Sequence, residues 1–336
     1  MREIINKILI FIILISSFWP NLTRKSTQSL PFATTADTLI IHRKDRETHS
    51  MAADLYLLDE CWEHIFKFLN CYGDDYYYNS CLKPLSIVSK QFLSITNRLK
   101  LSLIIRDPTH PFLARLFQRF PNLTLMRFCF MQLTQANNNS NSLMDFVASP
   151  QLKLKYLHMS SNFWLRNEHF KMFSSIFPNL QLLDLSLCYY ISIEGICEVL
   201  KRCCTIRHLN LTCYFGVKLC QMNFEAPKLE VLNLSQIGVD EDALYVISKS
   251  CPNLLQLDLE HCRYVTDKGL KHVVGNCTQL RELNLRYCCD VHRDVLASLI
   301  LSRPSLWKLT TPYRYYFNDQ EMERLSRQGC TCLLVF

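Results

Sequence analysis

Residues 254–270 read LLQLDLEHCRYVTDKGL, and the spacing of their apolar side chains decides the fold. Leucines stand at 254, 257 and 259, and Cys262, Val265 and Leu270 follow them. The resulting gaps of three, two, three, three and five residues match neither the 3.6-residue period of a helix nor the two-residue period of a strand. The stretch therefore predicts a composite unit, and such units usually occur in arrays.

The same spacing recurs, with units that begin at 123, 154, 180, 206, 229, 254, 280 and 306. In each unit the leucines that alternate with polar residues predict a short strand. A helix is predicted to follow the strand. In the unit that begins at 254, Thr266 or Asp267 can cap the free backbone N–H groups at the start of this helix. Units of about 26 residues bury their apolar faces only by stacking. The sequence therefore predicts an α/β solenoid with parallel strands inside and helices outside.

The unit at 254–279 resembles the cysteine-containing leucine-rich repeat, LxxLxLxxCxxITDxGLxxLxxxCxxL. The resemblance covers roughly residues 120–310. It weakens where Cys213 arrives one residue early and where Ile237 replaces the cysteine. We therefore expect repeats over 123–310 and a C-terminal cap over 311–336, formed by a short helix and a last strand.

Composition disfavours several classes of function. The chain has seven glycines and neither of the common glycine-rich phosphate-binding motifs, and its net charge of +7 is not concentrated in a dense basic run. We therefore expect no nucleic-acid partner and no nucleotide cofactor. The chain has 17 cysteines and no CxxC pair. Repeat-core positions hold Cys188, Cys203, Cys251, Cys262, Cys277 and Cys288. Reduced structural thiols are favoured over disulfides or a metal site, which predicts a cytoplasmic or nuclear protein.

Two apolar stretches at helical spacing precede the repeats, LLDECWEHIFKFL at 57–69 and LKPLSIVSKQFLSIT at 82–96. They resemble an F-box, whose pattern is roughly LPxExLxxILxxL…LxxVSKxW, and we assign this module to 51–105, with a connecting segment at 106–122. Asp59 stands where the family usually has proline, and Phe92 where it often has tryptophan. A negative group suits the start of a helix.

Together the two motifs resemble a plant-type F-box/LRR-repeat protein. The resemblance implies a non-catalytic substrate-recognition subunit of an SCF-type ubiquitin ligase, which binds an SKP-type adaptor and, through it, cullin and RING subunits. Its protein substrate would be ubiquitinated for proteasomal degradation. The residues expected to bind the adaptor are Leu58, Asp59, Glu60, Ile65, Phe66, Leu69, Leu85, Val88, Ser89, Lys90 and Phe92.

The polar residues that alternate with the core leucines are expected to point outward on the strand side of the solenoid, which is the usual binding surface of repeat proteins. This candidate substrate face comprises Asp184, Ser186, His208, Asn210, Asn233, Gln256, Asp258, Glu260, Glu282, Asn284 and Arg286. The histidines are scattered over the units without a spacing that supports a catalytic group, so no catalytic residue and no metal ligand is predicted.

The first fifty residues leave three alternatives open. The apolar run at 8–19 is too short to span a bilayer and resembles the core of a signal peptide. Residues 1–50 are therefore an upstream artefact of the gene assignment, a signal or a membrane anchor, and a membrane contact is expected only in the last case. A secreted or membrane-anchored repeat protein and a scaffold without a ligase role, in which the 57–96 helices only cap the solenoid, remain the alternative functions.

Overall fold

The computed structural model describes residues 58–70, 82–106, 112–129, 153–163, 165–213, 226–313, 315, 317–327, 329 and 331–333. The chain divides into two compact units, Met1–Lys100 and Leu101–Phe336. The expected N-terminal extension at 1–50 lies outside the described residues. In the first unit, three helices are described: α1 (Asp59–Asn70), α2 (Leu82–Leu85) and α3 (Lys90–Leu99).

The second unit is built on one ten-stranded sheet whose strands follow one another in chain order and are all parallel. The α/β solenoid predicted from the leucine spacing is confirmed. Its strands are β1 (Ser102–Arg106), β2 (Leu125–Cys129), β3 (Tyr156–His158), β4 (Leu182–Asp184), β5 (His208–Asn210), β6 (Val231–Asn233), β7 (Gln256–Asp258), β8 (Glu282–Asn284), β9 (Lys308–Thr310) and β10 (Thr331–Leu333). Its helices are α4 (Leu113–Arg119), α5 (Asn167–Ile176), α6 (Ile193–Arg202), α7 (Glu241–Ser250), α8 (Asp267–Asn276), α9 (Arg293–Ser302) and α10 (Asp319–Arg327).

The leucine triplets form the core between the strands and the helices. In β7 the middle residue, Leu257, is buried while its two neighbours are half-buried, as period-two alternation requires. Leu257 pairs in register with Leu283 of β8, and the same row of buried residues continues from β2 to β9. Leu259 and Leu254 are fully buried beside it. Strands β2 to β9 therefore contribute similar side chains to one continuous core.

A row of residues in the left-handed backbone region joins successive repeats. These residues follow the strands, have φ between 57° and 62°, and are Ser161, Leu187, Cys213, Gln236, His261 and Tyr287. The left-handed region is unfavourable for side chains other than glycine. Here the conformation directs backbone N–H groups to the next repeat, as where His261 N donates to Arg286 O at 2.8 Å. A hydrogen bond that the stack needs therefore offsets the local strain.

The repeat-core cysteines are buried donors. Burial raises the pKa of Cys188 and Cys203 to about 11 and that of Cys262 to about 12. The cysteines whose side chains the structure describes are free thiols. A protonated S–H donates a weak hydrogen bond to a backbone carbonyl of the preceding repeat, as from Cys188 Sγ to Met159 O at 3.1 Å. These residues therefore serve as small hydrophobes that carry one weak donor.

The first repeat begins earlier than the sequence indicated. β1 pairs with β2 residue by residue, from Ser102 with Leu125 to Arg106 with Cys129. The sheet therefore includes residues that were assigned to the end of the F-box module and to the start of the connecting segment at 106–122. The reason is that LSLIIR lacks the LxxLxL spacing by which the later units are recognised. At the other end, α10 and β10 place a helix and a strand within the expected cap.

Within the described ranges, every helix is too short or too polar to cross a lipid bilayer.

Candidate interaction surfaces

The helical unit has a small apolar core of its own. Its buried members are Ile65, Phe66, Leu82, Leu85 and Ile95. Phe92 and Trp62 pack against this core, with ring centroids 4.6 Å apart, and the Phe92 ring also lies 4.9 Å from that of Phe66. Aromatic pairs at these separations add to the stabilisation from burial. Phe92 therefore occupies the structural place where the family pattern often has tryptophan.

The predicted adaptor-binding residues divide into a core group and a surface group. Ile65, Phe66 and Leu85 are buried inside the unit. Leu58 is 48% exposed and Val88 is 51% exposed, and the sequence analysis missed Ile87, which is 71% exposed. The polar residues Glu60, Ser89 and Lys90 are exposed as well. The side chain of Leu69 lies outside the described part of the chain.

Ile87 and Val88 are exposed because of the local backbone. Residues 86–88 form a turn between α2 and α3. Ser89 then caps α3, since its hydroxyl accepts a hydrogen bond from Phe92 N at 3.1 Å. The turn and the cap hold two apolar side chains at the surface next to a polar group. Helical spacing selected Val88 and passed over Ile87, because it does not record the turn that exposes both residues.

Asp59 links two helices of this unit. Its carboxylate accepts hydrogen bonds from Gln91 Nε2 and Arg98 Nη2, each at 2.9 Å. Arg98 also donates to Glu63 Oε1 at 2.9 Å. The hydrogen bond from Gln91, followed by that from Arg98, lowers the pKa of Asp59. The residue that replaces the usual proline therefore ties the start of α1 to α3.

The predicted substrate-face residues lie on the open sheet face, which we define as the outward side chains of the strands and of the residues two positions beyond them. The strand register arranges them in three rows. The first contains His208, Gln256 and Glu282, the second Asp184, Asn210, Asn233, Asp258 and Asn284, and the third Ser186, Glu260 and Arg286. The structure thus brings them together on one surface.

The residues of the second row also stabilise the turn that follows each strand. In each case the side-chain oxygen accepts a hydrogen bond from the backbone N–H two residues on, as where Glu260 N donates to Asp258 Oδ1 at 2.9 Å. The same bond forms at Asn233 and Asn284, at 2.9 and 3.1 Å. This is the local turn that Asp and Asn favour. The residues of this row were predicted from their exposure alone, and they also shape the turn that follows each strand.

The C-terminal part of the open sheet face carries a chain of ionic contacts. Glu282 accepts hydrogen bonds from Gln256 Nε2 at 2.8 Å and from Lys308 Nζ at 3.2 Å. Glu260 Oε1 lies 3.5 Å from Arg286 Nη1. The sequence analysis missed Lys308, although it stands in the same row as Glu282 and one unit further along. Around these groups lies a shallow cavity of about 430 Å³ above β6–β9.

A histidine and an aspartate are in contact near the other end of this face. His158 Nδ1 is 3.2 Å from Asp184 Oδ2, and both side chains are largely buried. Two bonds from Ser186 also reach Asp184. Although burial opposes it, the hydrogen bond from His158 and those from Ser186 lower the pKa of Asp184. The charge of this aspartate therefore has a partner within the repeat stack.

Aromatic rings stack along one rim of the open sheet face. The ring of His261 lies 4.2 Å from that of Tyr287, which in turn lies 5.8 Å from that of Tyr313. The Arg286 guanidinium lies 5.0 Å from the centroid of the Tyr287 ring. The sequence analysis missed this row. Its signal is the recurrence of an aromatic or histidine residue every 26 positions, three residues after β7, β8 and β9.

Among the described residues, no group of three or more His, Cys, Asp or Glu side chains comes together as a metal-binding cluster.

Known proteins share sequence features with this chain. A family model of the leucine-rich repeat matches residues 250–273. The chain is 28% identical over 192 residues to F-box/LRR-repeat protein 4 of Bos taurus, a match that covers 54% of this chain and 30% of that protein. It is 30% identical over 124 residues to the putative F-box/LRR-repeat protein 23 of Arabidopsis thaliana, covering 34% of this chain and 27% of that protein.

The chain is similar to F-box/LRR-repeat proteins. It spans less than a third of the length of these two relatives, which come from an animal and a plant. The plant-type subclass therefore stays a prediction. Among solved structures, the chain resembles one in the crystal structure of the Rad7 and Elc1 complex in yeast, with a TM-score of 0.47 and 15% identity over 82% of this chain and 92% of that one.

Proposed function

We propose that the chain is the non-catalytic substrate-recognition subunit of an SCF-type cullin-RING ubiquitin ligase. The helical unit binds an SKP-type adaptor, and the open sheet face holds a protein substrate for ubiquitination and proteasomal degradation. The similarity to F-box/LRR-repeat proteins supports this proposal. The observation that carries it is the exposure of Leu58, Ile87 and Val88 on a unit whose core is already filled.

The exposed residues are not required to complete the fold of the helical unit. Ile65, Phe66 and Ile95 fill its interior, and Phe92 closes one side. Large apolar side chains that gather at a surface mark sites of protein association. Burying one side chain such as Ile87 contributes about 1.5–3 kcal/mol to an association. The polar groups around them, Glu60, Ser89 and Lys90, would form the rim of such an interface.

The contribution of the repeats is proximity. A substrate held on the open sheet face reacts as an intramolecular partner of the ubiquitin-loaded enzyme, so that the effective concentration of its lysines rises. Under this proposal no bond is made or broken by the chain itself. Under the same proposal, the protein is expected in the cytoplasm or the nucleus, where its partners act.

Affinity capture of the tagged full chain from cells treated with a proteasome inhibitor tests the proposal. The wild-type chain is expected to capture the SKP-type adaptor and a cullin, as identified by mass spectrometry. Ile87→Glu places a charge in the adaptor interface at a position that is exposed, so it should abolish capture without unfolding the unit. Tyr264→Glu is the matched control, because Tyr264 is 65% exposed and lies in the repeat unit. Absence of the adaptor from the wild-type capture, or equal capture by Ile87→Glu, contradicts the proposal.

A further inference from the structure

We infer that Asp258 is the anchor for a lysine or arginine side chain of the protein that binds the open sheet face. The inference rests on the proposed function, because it names the chemistry of the substrate held there. Asp258 lies in β7 and lines the cavity above β6–β9. Three features single it out from the other polar residues of the face: its charge is unnecessary for the turn, it has no cationic partner among the described residues, and the surrounding cavity is open.

The turn after β7 does not need a charge. Asp258 Oδ1 accepts a bond from Glu260 N at 2.9 Å, and the amide oxygens of Asn233 and Asn284 accept the equivalent bond at 2.9 and 3.1 Å. Asparagine therefore performs the same duty in both neighbouring strands. The negative charge of Asp258 is an addition that the repeat architecture does not explain.

Each of the other three carboxylates of the face has a basic side chain close to it. Lys308 pairs with Glu282 at 3.2 Å and Arg286 with Glu260 at 3.5 Å, while His158 lies 3.2 Å from Asp184. Across the described part of the chain, Asp258 has no ion-pair partner. Its Oδ2 atom is thus left to accept a bond from an incoming group.

The cavity has room for a side chain and a net negative lining. Three carboxylates and two cations line its roughly 430 Å³, and both cations already engage the other two carboxylates. Asp258 is half-buried, and partial removal from water strengthens its attraction for a cation. The Tyr287 ring, which stacks on His261, lies 5.0 Å from the guanidinium of Arg286, a residue of the cavity lining. Ring faces favour the stem of a lysine or the plane of an arginine.

Four pools of fluorescent nine-residue peptides provide the probe. The central residue is arginine, lysine, citrulline or glutamate, and the flanking positions are random mixtures of alanine, serine and tyrosine. Citrulline has nearly the shape of arginine without the charge. Retention on the immobilised full chain is expected to be about fivefold greater for the arginine and lysine pools than for the citrulline pool, the ratio that one well-placed ion pair provides.

Asp258→Asn should abolish this preference. The variant keeps the acceptor for Glu260 N and installs the residue of the neighbouring strands, so its melting temperature should match that of the wild type. Asp242→Asn removes one charge from an exposed position of α7 and should keep the preference. Equal retention of all four pools, a preference for the glutamate pool, or an unchanged preference in Asp258→Asn overturns the inference.

This experiment is independent of adaptor binding. Asp258→Asn should still bind the SKP-type adaptor, whereas Ile87→Glu should still prefer basic peptides. A basic preference without adaptor binding would refute the ligase role and leave the anchor standing. Adaptor binding without a basic preference would refute only the anchor.

Discussion

The sulfur of Cys262 lies 3.1 Å from the carbonyl oxygen of Leu234, so a thiol in one repeat donates to the backbone of the repeat before it. Cys288 makes the same contact with Leu259, also at 3.1 Å. The side chain thus fills core volume and adds a weak hydrogen bond between neighbouring repeats.

Replacement of Cys262 by alanine should destabilise the stack. The change removes a buried sulfur and leaves the carbonyl of Leu234 without its donor, so we expect the free energy of unfolding to fall by about 1–2 kcal/mol. Urea denaturation followed by circular dichroism measures this. Cys289→Ala is the control, since Cys289 is exposed and its loss should cost less than about 0.5 kcal/mol. Equal effects of the two variants would refute the structural role of Cys262.

The stability of the repeats should decrease in alkaline solution. Burial raises the pKa of Cys188, Cys203 and Cys277 to about 11 and that of Cys251 and Cys262 to about 12, whereas an unfolded thiol titrates near 8.5. The unfolded state therefore loses protons first. The stabilisation from these protonated thiols is fully present below pH ~8.5, and it is lost as the pH rises toward the pKa values of the thiols in the folded state.

Urea midpoints between pH 7.5 and 10.5 measure this loss, with rapid thiol labelling as a second readout. The buried thiols should react with a thiol reagent at pH 8 only after denaturation, and without added reductant. Thiols that stay unreactive in the denatured chain would indicate disulfides. That result would favour the secreted alternative.

Gly269 should not tolerate a side chain. A Cβ at this position would lie 2.7 Å from Leu244 Cδ1, and Leu244 is fully buried between α7 and α8. We expect Gly269→Ala to lower the free energy of unfolding by about 1–3 kcal/mol because the buried Leu244 side chain must leave its packed position.

Gly275 of the same helix provides the matched control for Gly269. A Cβ added there would meet no atom within 4 Å. Gly275→Ala should raise the free energy of unfolding by about 0.5–1 kcal/mol, as alanine is the better helix former. Thermal denaturation compares the two variants. Destabilisation by Gly275→Ala, or tolerance of Gly269→Ala, would contradict the described packing.

The contacts of Asp59 with Gln91 and Arg98 should stabilise the helical unit in a pH-dependent way. The hydrogen bonds from Gln91 and Arg98 lower the pKa of Asp59, so this stabilisation is present above the ordinary aspartate pKa and is lost as the pH falls through the lowered value. Asp59→Asn should therefore lower the melting temperature at pH 7 and have less effect at pH 3. In the Arg98→Gln background the loss at pH 7 should be smaller. A loss that is independent of both pH and Arg98 would show that the ion pair contributes nothing.

The repeats were predictable from sequence because each unit buries apolar side chains at the same positions. Leu257 and Leu283 recur at one register position, and a period of about 26 residues is visible without knowledge of the structure. β1 was missed because the apolar residues of its LSLIIR segment do not follow the LxxLxL spacing of the later units. The first unit of an array packs against one neighbouring repeat, so its sequence follows the spacing less strictly.

The interaction surfaces were only partly predictable. Strand alternation placed Glu260, Glu282 and Arg286 on the open sheet face. It did not indicate that the side-chain oxygen of Asn233 accepts a hydrogen bond from the backbone two residues on. In the helical unit, helical spacing made Ile65 and Val88 look alike. The turn at 86–88 separates them, and a turn depends on backbone geometry that side-chain periodicity does not record.

Titration of the purified SKP-type adaptor into the purified full chain, followed by isothermal calorimetry, tests the central claim most directly. The account predicts saturable binding with one adaptor per chain. It also predicts a loss of affinity of at least about tenfold in Val88→Asp, the scale of one interface residue worth more than 1 kcal/mol, and no loss in Tyr264→Glu. Absence of binding by the wild-type chain at micromolar concentrations, or equal affinity of Val88→Asp, would contradict it.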